Sequence, residues 1–238
     1  MGADLTADES LIYNPQDNRA GQHHYRAWVG PPSRYCRVSS YAMECLLHWK
    51  LREWHTILDL GCGSIRLGRM LIPYLWPGHY FGIEPEEWAV HDGFKYEMGD
   101  EESIRAVKKP HFAYIDDFDL TTFGATFDYI FAYSIFSHTA KWQIHKAMHY
   151  AQKVLKPNGM FFATYQRVHD GATEYEGSEW VYPRCTHYYP ETYAKIVREH
   201  GLDIIDKIGP EHAPWGDWTV VGHPGHIEEM RDDPRRRV

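Results

Sequence analysis

The stretch Ile57-Leu58-Asp59-Leu60-Gly61-Cys62-Gly63-Ser64-Ile65-Arg66-Leu67-Gly68 constrains this chain more than any other. A short, mostly apolar strand runs there into a turn with two glycines, and a helical pattern opens behind it. Glycines at such a turn let the backbone pass close to a ligand, and the first amides of the following helix lack partners of their own. Together with Glu84, an acid at the end of the next expected strand, the turn implies a nucleoside-bearing cofactor. A dinucleotide fingerprint does not fit, because the third glycine of G-x-G-x-x-G is here Arg66. A phosphate-cradling P-loop would need Gly-Lys-Ser/Thr, which is absent. Asp59, ahead of the glycines, suits a cationic amino-acid tail better than a pyrophosphate.

That combination fits S-adenosylmethionine, and Asp59-Leu60-Gly61-Cys62-Gly63 resembles motif I of the class I S-adenosylmethionine-dependent methyltransferases. Further landmarks of the family follow in order. His79-Tyr80-Phe81-Gly82-Ile83-Glu84-Pro85 is similar to the second strand, whose terminal acid holds the ribose hydroxyls. Phe112-Ala113-Tyr114-Ile115-Asp116-Asp117-Phe118 resembles the third strand and the acidic turn that meets the adenine amino group. Phe127 to Tyr133 resembles strand four, and Val154 to Ala163 resembles a helix exit and strand five. The resemblance covers residues 53–222 and implies a Rossmann-like three-layer α/β/α sandwich. Its sheet has seven strands, mostly parallel with the last antiparallel, under an N-terminal helical cap. Many members carry a third glycine where this chain has Ile65.

Carried onto matching positions, the resemblance gives the cofactor Asp59, Gly61, Cys62 and Gly63 from the turn, and Glu84 and Pro85 after the second strand. Asp116 is favoured for the adenine, with Asp117 second; Phe118 and Trp88 either pack on the adenine ring or belong to the core. Tyr133 and Ser134, at the end of strand four, can meet cofactor or acceptor. The protein's main task in methyl transfer is alignment of the acceptor with the sulfonium methyl, leaving S-adenosylhomocysteine. A hydroxyl or carboxylic acid acceptor also needs a base, for which His138 and, beside it, Tyr133 are the candidates. His138 has a second reading, as a histidine that bonds the start of the next helix.

The acceptor pocket should come from segments outside the common sheet. One is the N-terminus, with Tyr13, Tyr25 and Trp28; the other is the loop 166–189, with Arg167, His169, Trp180, Tyr182 and Tyr188. Such a mixture suits an aromatic or carboxylate-bearing small molecule, or else anchors a long loop to the body.

The 238 residues, 43% of them hydrophobic, suffice for one α/β domain with additions. The expected organisation is a cap over 1–52, a cofactor-binding domain over 53–225 and a flexible tail over 226–238. Strands are predicted at 56–60, 79–84, 111–115, 127–133, 160–165, 202–208 and 217–222, and helices at 65–75, 86–97, 139–155 and 190–200. A net charge of −8 argues against a nucleic-acid partner. The absence of a membrane-length apolar run argues against a membrane, and the acidic N-terminus against a signal peptide, so a cytoplasmic protein is expected. The four cysteines lack C-x-x-C spacing, and His145 and His149, four apart on a helix, have a polar flank, so no metal is expected. The leading reading is a methyltransferase acting on a small molecule, more on oxygen than nitrogen, with specialised metabolism as its setting and a homodimer as an option. The alternatives are a nicotinamide-dependent oxidoreductase, since Glu84 could hold another ribose, and a non-catalytic cofactor-binding module.

Overall fold

The computed structural model describes residues 19–169, 171–208 and 217–232. Seven strands, β1 (Ile57–Leu60), β2 (Tyr80–Ile83), β3 (His111–Ala113), β4 (Phe127–Ala132), β5 (Leu155–Tyr165), β6 (Asp203–Ile208) and β7 (Asp217–Gly222), form one sheet in the order β3-β2-β1-β4-β5-β7-β6. The first five pair in parallel, and β7 runs antiparallel to both β5 and β6. Every residue of β1 and β2 is buried, as parallel strands covered on both faces require.

The helices are α1 (Tyr25–Trp28), α2 (Tyr35–His48), α3 (Gly68–Tyr74), α4 (Glu87–Gly93), α5 (Glu101–Lys108), α6 (Lys141–Val154), α7 (Pro190–Glu199) and α8 (Pro224–Asp232). On one face of the sheet Val38 and Leu46 of α2 and Leu71 of α3 join Ile57, Phe131 and Phe162. On the other, Ile144 and Met148 of α6 and Ile196 of α7 join Leu58, Ile130 and Phe161. The alternation of Ile57 and Leu58 between the two clusters is the period-two signature of a strand with two buried faces. Among the described residues no helix is long and apolar enough to cross a membrane.

Two expectations are corrected, and one helix is new. The stretch from 226, expected as a solvated tail, is helical through Asp232, with Ile227 and Met230 buried against the sheet. Two apolar residues three apart dock this helix, too short a pattern to stand out in sequence. The strand expected from Met160 opens at Leu155, which pairs with Phe127 before a register shift. Finally, α5 was not expected: it buries none of its residues, and its start is fixed by the Asp100 carboxylate accepting from the Ser103 amide.

Strand order reverses beside β1, since β2 and β3 lie to one side and β4 and β5 to the other. At such a switch point the connections leave in opposite directions, opening a crevice at the carboxyl ends of the strands.

Candidate active site

A cavity of about 990 Å³ occupies that crevice. Its floor is the turn after β1, with Asp59, Gly61, Cys62 and Gly63, joined by Glu84 and Pro85 after β2. Asp116 and Phe118 enter after β3, and Tyr133, Ser134 and His138 after β4. Trp28 of the N-terminal cap and Trp180 and Tyr182 of the long loop complete the wall.

The two acids are enclosed, Asp59 at 4% and Glu84 at 6% exposure. Asp59 Oδ2 accepts from the Tyr80 hydroxyl at 2.9 Å. Burial pushes its carboxyl up to about 7, outweighing that bond and the nearby Arg66 charge. Glu84 Oε2 accepts from the Gly63 amide at 2.9 Å, while its Oε1 accepts from the Glu86 amide at 3.2 Å and the Trp28 indole at 3.4 Å. Burial raises the Glu84 pKa too, against those donors. Glu84 therefore ties strand, glycine turn and cap together at one carboxylate.

The backbone here needs unusual conformations. Gly61 has φ +71° and Gly63 φ +55°, and a Cβ on either would lie 2.1 Å from Ile135 Cδ1 or 2.2 Å from Val29 Cγ1. Ile65, Phe118 and Ser134 also have positive φ, at +50°, +57° and +58°. For a β-branched residue such as Ile65 this is a strained state, and strained residues gather where a site dictates the backbone. Ile65, where the resembled motif has a third glycine in many cases, takes up a left-handed backbone conformation while filling the core with its side chain.

His138 is buried, and its Nδ1 donates to the Arg184 carbonyl at 2.6 Å. That bond leaves Nε2 as the unprotonated nitrogen of the neutral ring. Burial lowers the pKa of the imidazole. The alternative of a bond to the start of the next helix is not what the ring makes: its partner lies in the long loop. That loop is pinned by Val181 donating to the His138 carbonyl and Thr186 to the Ser137 carbonyl, at 3.0 and 2.7 Å.

Residues 58–161 match a family model described as a methyltransferase domain. Over that stretch the chain is similar to methyltransferase domains. Its fold is similar to that of magnesium protoporphyrin IX methyltransferase from Synechocystis PCC 6803, crystallised with bound SAH, at TM-score 0.58 and 13% identity, covering 80% of this chain and 84% of that one. It is similar also to a methyltransferase from Streptomyces caelestis, at TM-score 0.56 and 14% identity over 82% and 97% of the two chains. A sugar N-methyltransferase from Streptoalloteichus sp. matches at TM-score 0.54 and 12% identity over 79% and 88%. At such identities these likenesses concern the fold.

Several expected site residues lie elsewhere. Trp88 is not in the cavity wall: its ring stacks on His23 at 3.9 Å and its indole donates to Glu86. Asp117 is turned to Lys146, 3.8 Å away, and to the Asp119 amide. Tyr25 is fully buried, and its hydroxyl donates to Glu97, which also pairs with Arg26 and Arg69. Arg167 pairs with Asp206 at 2.6 Å and Asp217 at 2.7 Å, joining the start of the loop to β6 and β7. Tyr188 is a core residue whose hydroxyl donates to the Thr139 carbonyl, and His169 meets the His187 ring edge-on outside the cavity. Tyr13 lies outside the described residues. The cavity also takes in a residue that the sequence offered only as a missing glycine, Arg66.

Proposed function

We propose that the protein transfers a methyl group from S-adenosylmethionine to a small-molecule acceptor, preferring oxygen to nitrogen. The observation that carries this is the pair of buried carboxylates, Asp59 and Glu84, on either side of a glycine turn that lines one cavity. When bound, S-adenosylmethionine supplies a methyl group on a sulfonium centre. Glu84, at the end of β2, is the group for its ribose hydroxyls, and Asp59 places negative character near its cationic tail. Asp116 and Phe118 border the same cavity and serve the adenine.

The preference for oxygen rests on His138. Its ring is held neutral by burial and fixed in one tautomer by Arg184, so it can take a proton from a hydroxyl near neutral pH. A neutral amine acceptor has less need of such a base. The same reading places the enzyme in the cytoplasm and its acceptor in specialised metabolism.

Calorimetry with S-adenosylhomocysteine and with NAD tests the cofactor. Binding of S-adenosylhomocysteine should weaken by roughly 1–3 kcal/mol in Glu84→Ala, the loss expected when hydrogen bonds to a buried carboxylate are removed. Binding of NAD without S-adenosylhomocysteine would overturn the reading. Release of S-adenosylhomocysteine from a panel of hydroxylated and aminated acceptors then separates oxygen from nitrogen transfer.

A further inference from the structure

Arg66 lines the cavity with few partners for so large a charge. Its Nη1 donates to the Val29 carbonyl, and its guanidinium stands 5.3 Å from the centre of the Tyr133 ring. Among the described residues it forms no ion pair with a carboxylate; the groups that act on it most are the phenols of Tyr133, Tyr35 and Tyr182, with Asp59 after them. Tyr133 and Tyr182 are pushed up to about 12 and stay neutral, and Asp59, at about 7, is itself half protonated near neutral pH. Burial lowers the Arg66 pKa, yet a guanidinium starts too high to lose its proton at neutral pH. A partly desolvated cation that no carboxylate pairs is unfavourable, and an anionic ligand would supply the missing partner.

We propose that the acceptor carries a carboxylate and that Arg66 binds it. The proposal rests on the methyl-transfer reading and names the acceptor's chemical class. The bond from Nη1 to Val29 fixes the plane of the guanidinium, and its remaining N–H groups form the fork that takes a carboxylate through two parallel bonds. The neighbouring wall is aromatic, with Tyr133, Tyr182 and Trp180, so a flat, ring-bearing acid fits it. Arg66 belongs with the acceptor because it touches Val29 of the cap and faces Tyr133, while Tyr182 of the long loop stands edge-on to His138 at 4.8 Å. The cation and the candidate base thus share one wall, built largely by segments outside the common sheet. A second guanidinium, Arg34, also lines the cavity and acts on Tyr133.

Matched acids and amides test this: 4-hydroxybenzoate against 4-hydroxybenzamide, ferulate against ferulamide, and indole-3-acetate against indole-3-acetamide, each titrated with and without S-adenosylhomocysteine. At least one acid should bind roughly tenfold to a hundredfold more tightly than its amide, the range for a charge-assisted pair. Arg66→Met should erase that preference while leaving S-adenosylhomocysteine affinity in place, and Arg66→Lys should retain part of it. The ligand-free Arg66→Met protein should melt no lower than the parent, because a half-buried cation without an ion pair has been replaced by an apolar chain of similar length; a lower melting point would make Arg66 a structural tie to Val29. Equal binding of acid and amide in every pair overturns the proposal. So does loss of S-adenosylhomocysteine affinity in Arg66→Met, which would assign the cation to the cofactor's own carboxylate. Failure of the parent protein to bind S-adenosylhomocysteine sinks the methyl-transfer reading instead, and the ligand-free titrations still decide whether Arg66 selects carboxylates.

Discussion

The Tyr80 hydroxyl donates to Asp59 Oδ2 at 2.9 Å, tying β2 to β1 next to the glycine turn. Both residues are buried, and a Cβ on Gly68 would come within 2.6 Å of that hydroxyl, so α3 opens directly against it. Tyr80→Phe removes the donor from an enclosed carboxyl. It should lower stability to urea by about 1–3 kcal/mol, the cost of leaving a buried acceptor without its donor. An unchanged urea midpoint would mean that the carboxyl is satisfied in another way.

The raised pKa of Asp59 makes a prediction about pH. A carboxyl whose folded pKa, about 7, exceeds its ordinary 3.8 binds its proton more tightly in the native state. Its contribution to stability is full below about pH 3.8 and is lost as pH rises through about 7. Asp59→Asn stays neutral throughout, so its melting temperature should gain on the parent's as pH rises across that window. Glu84 shifts in the same direction but is present in both proteins and cancels. Thermal melts at several pH values decide the matter, and a constant offset between the two proteins would refute a raised Asp59 pKa.

Ile65 sets two effects against each other. Its side chain is completely buried in the core, while its backbone sits at φ +50°. Ile65→Ala loses the packing and keeps the strain; Ile65→Gly loses the same packing and relieves it. Glycine should therefore be the more stable of the two variants by about 1 kcal/mol, the reverse of its rank at ordinary positions. Chemical denaturation of both variants measures the difference, and the ordinary rank would show that the left-handed state carries no strain here.

The order of strands and the two acids of the cavity are readable in the sequence because one cause produces both signals. Strands buried on two faces must be runs of apolar residues, and an acid ending such a run, as Glu84 ends β2, lies where ligands bind. Residues of the long loop carry no such signal. Arg167, Tyr188 and Trp180 are all large side chains in an irregular segment, and whether each meets solvent, core or cavity depends on partners far away in sequence. Asp206 and Asp217 claim Arg167, Thr139 claims Tyr188, and Trp180 alone of the three reaches the cavity. Arg66 escaped for a different reason: comparison with a glycine motif says what the position lacks, and its charge gains meaning only beside the cavity it lines.

Because Arg167 is spent on Asp206 and Asp217, Arg167→Ala should act on stability. A partly exposed two-carboxylate cluster of this kind should contribute about 1–2 kcal/mol, above an isolated surface pair. Denaturation should register that loss while S-adenosylhomocysteine affinity stays level. A fall in ligand affinity at unchanged stability would return Arg167 to the site.

His138 offers the sharpest separation between chemistry and architecture. Burial lowers its pKa below the ordinary 6.5. If its neutral Nε2 takes the acceptor's proton, kcat should climb with pH to a plateau reached before the ordinary histidine range. His138→Gln should lower kcat by about 10² to 10⁴, the usual contribution of a positioned base, and abolish that acid limb. S-adenosylhomocysteine affinity should hold, because the ring's hydrogen-bond partner is Arg184. The depressed pKa also carries a stability signature. The neutral ring's contribution is present above pH 6.5 and is lost as pH falls through the lower folded pKa, so the parent should lose stability on acidification faster than the variant. A purely architectural histidine would give this melting signature with kcat unchanged. A catalytic base gives both, and an acid limb that survives His138→Gln would place the base on another residue.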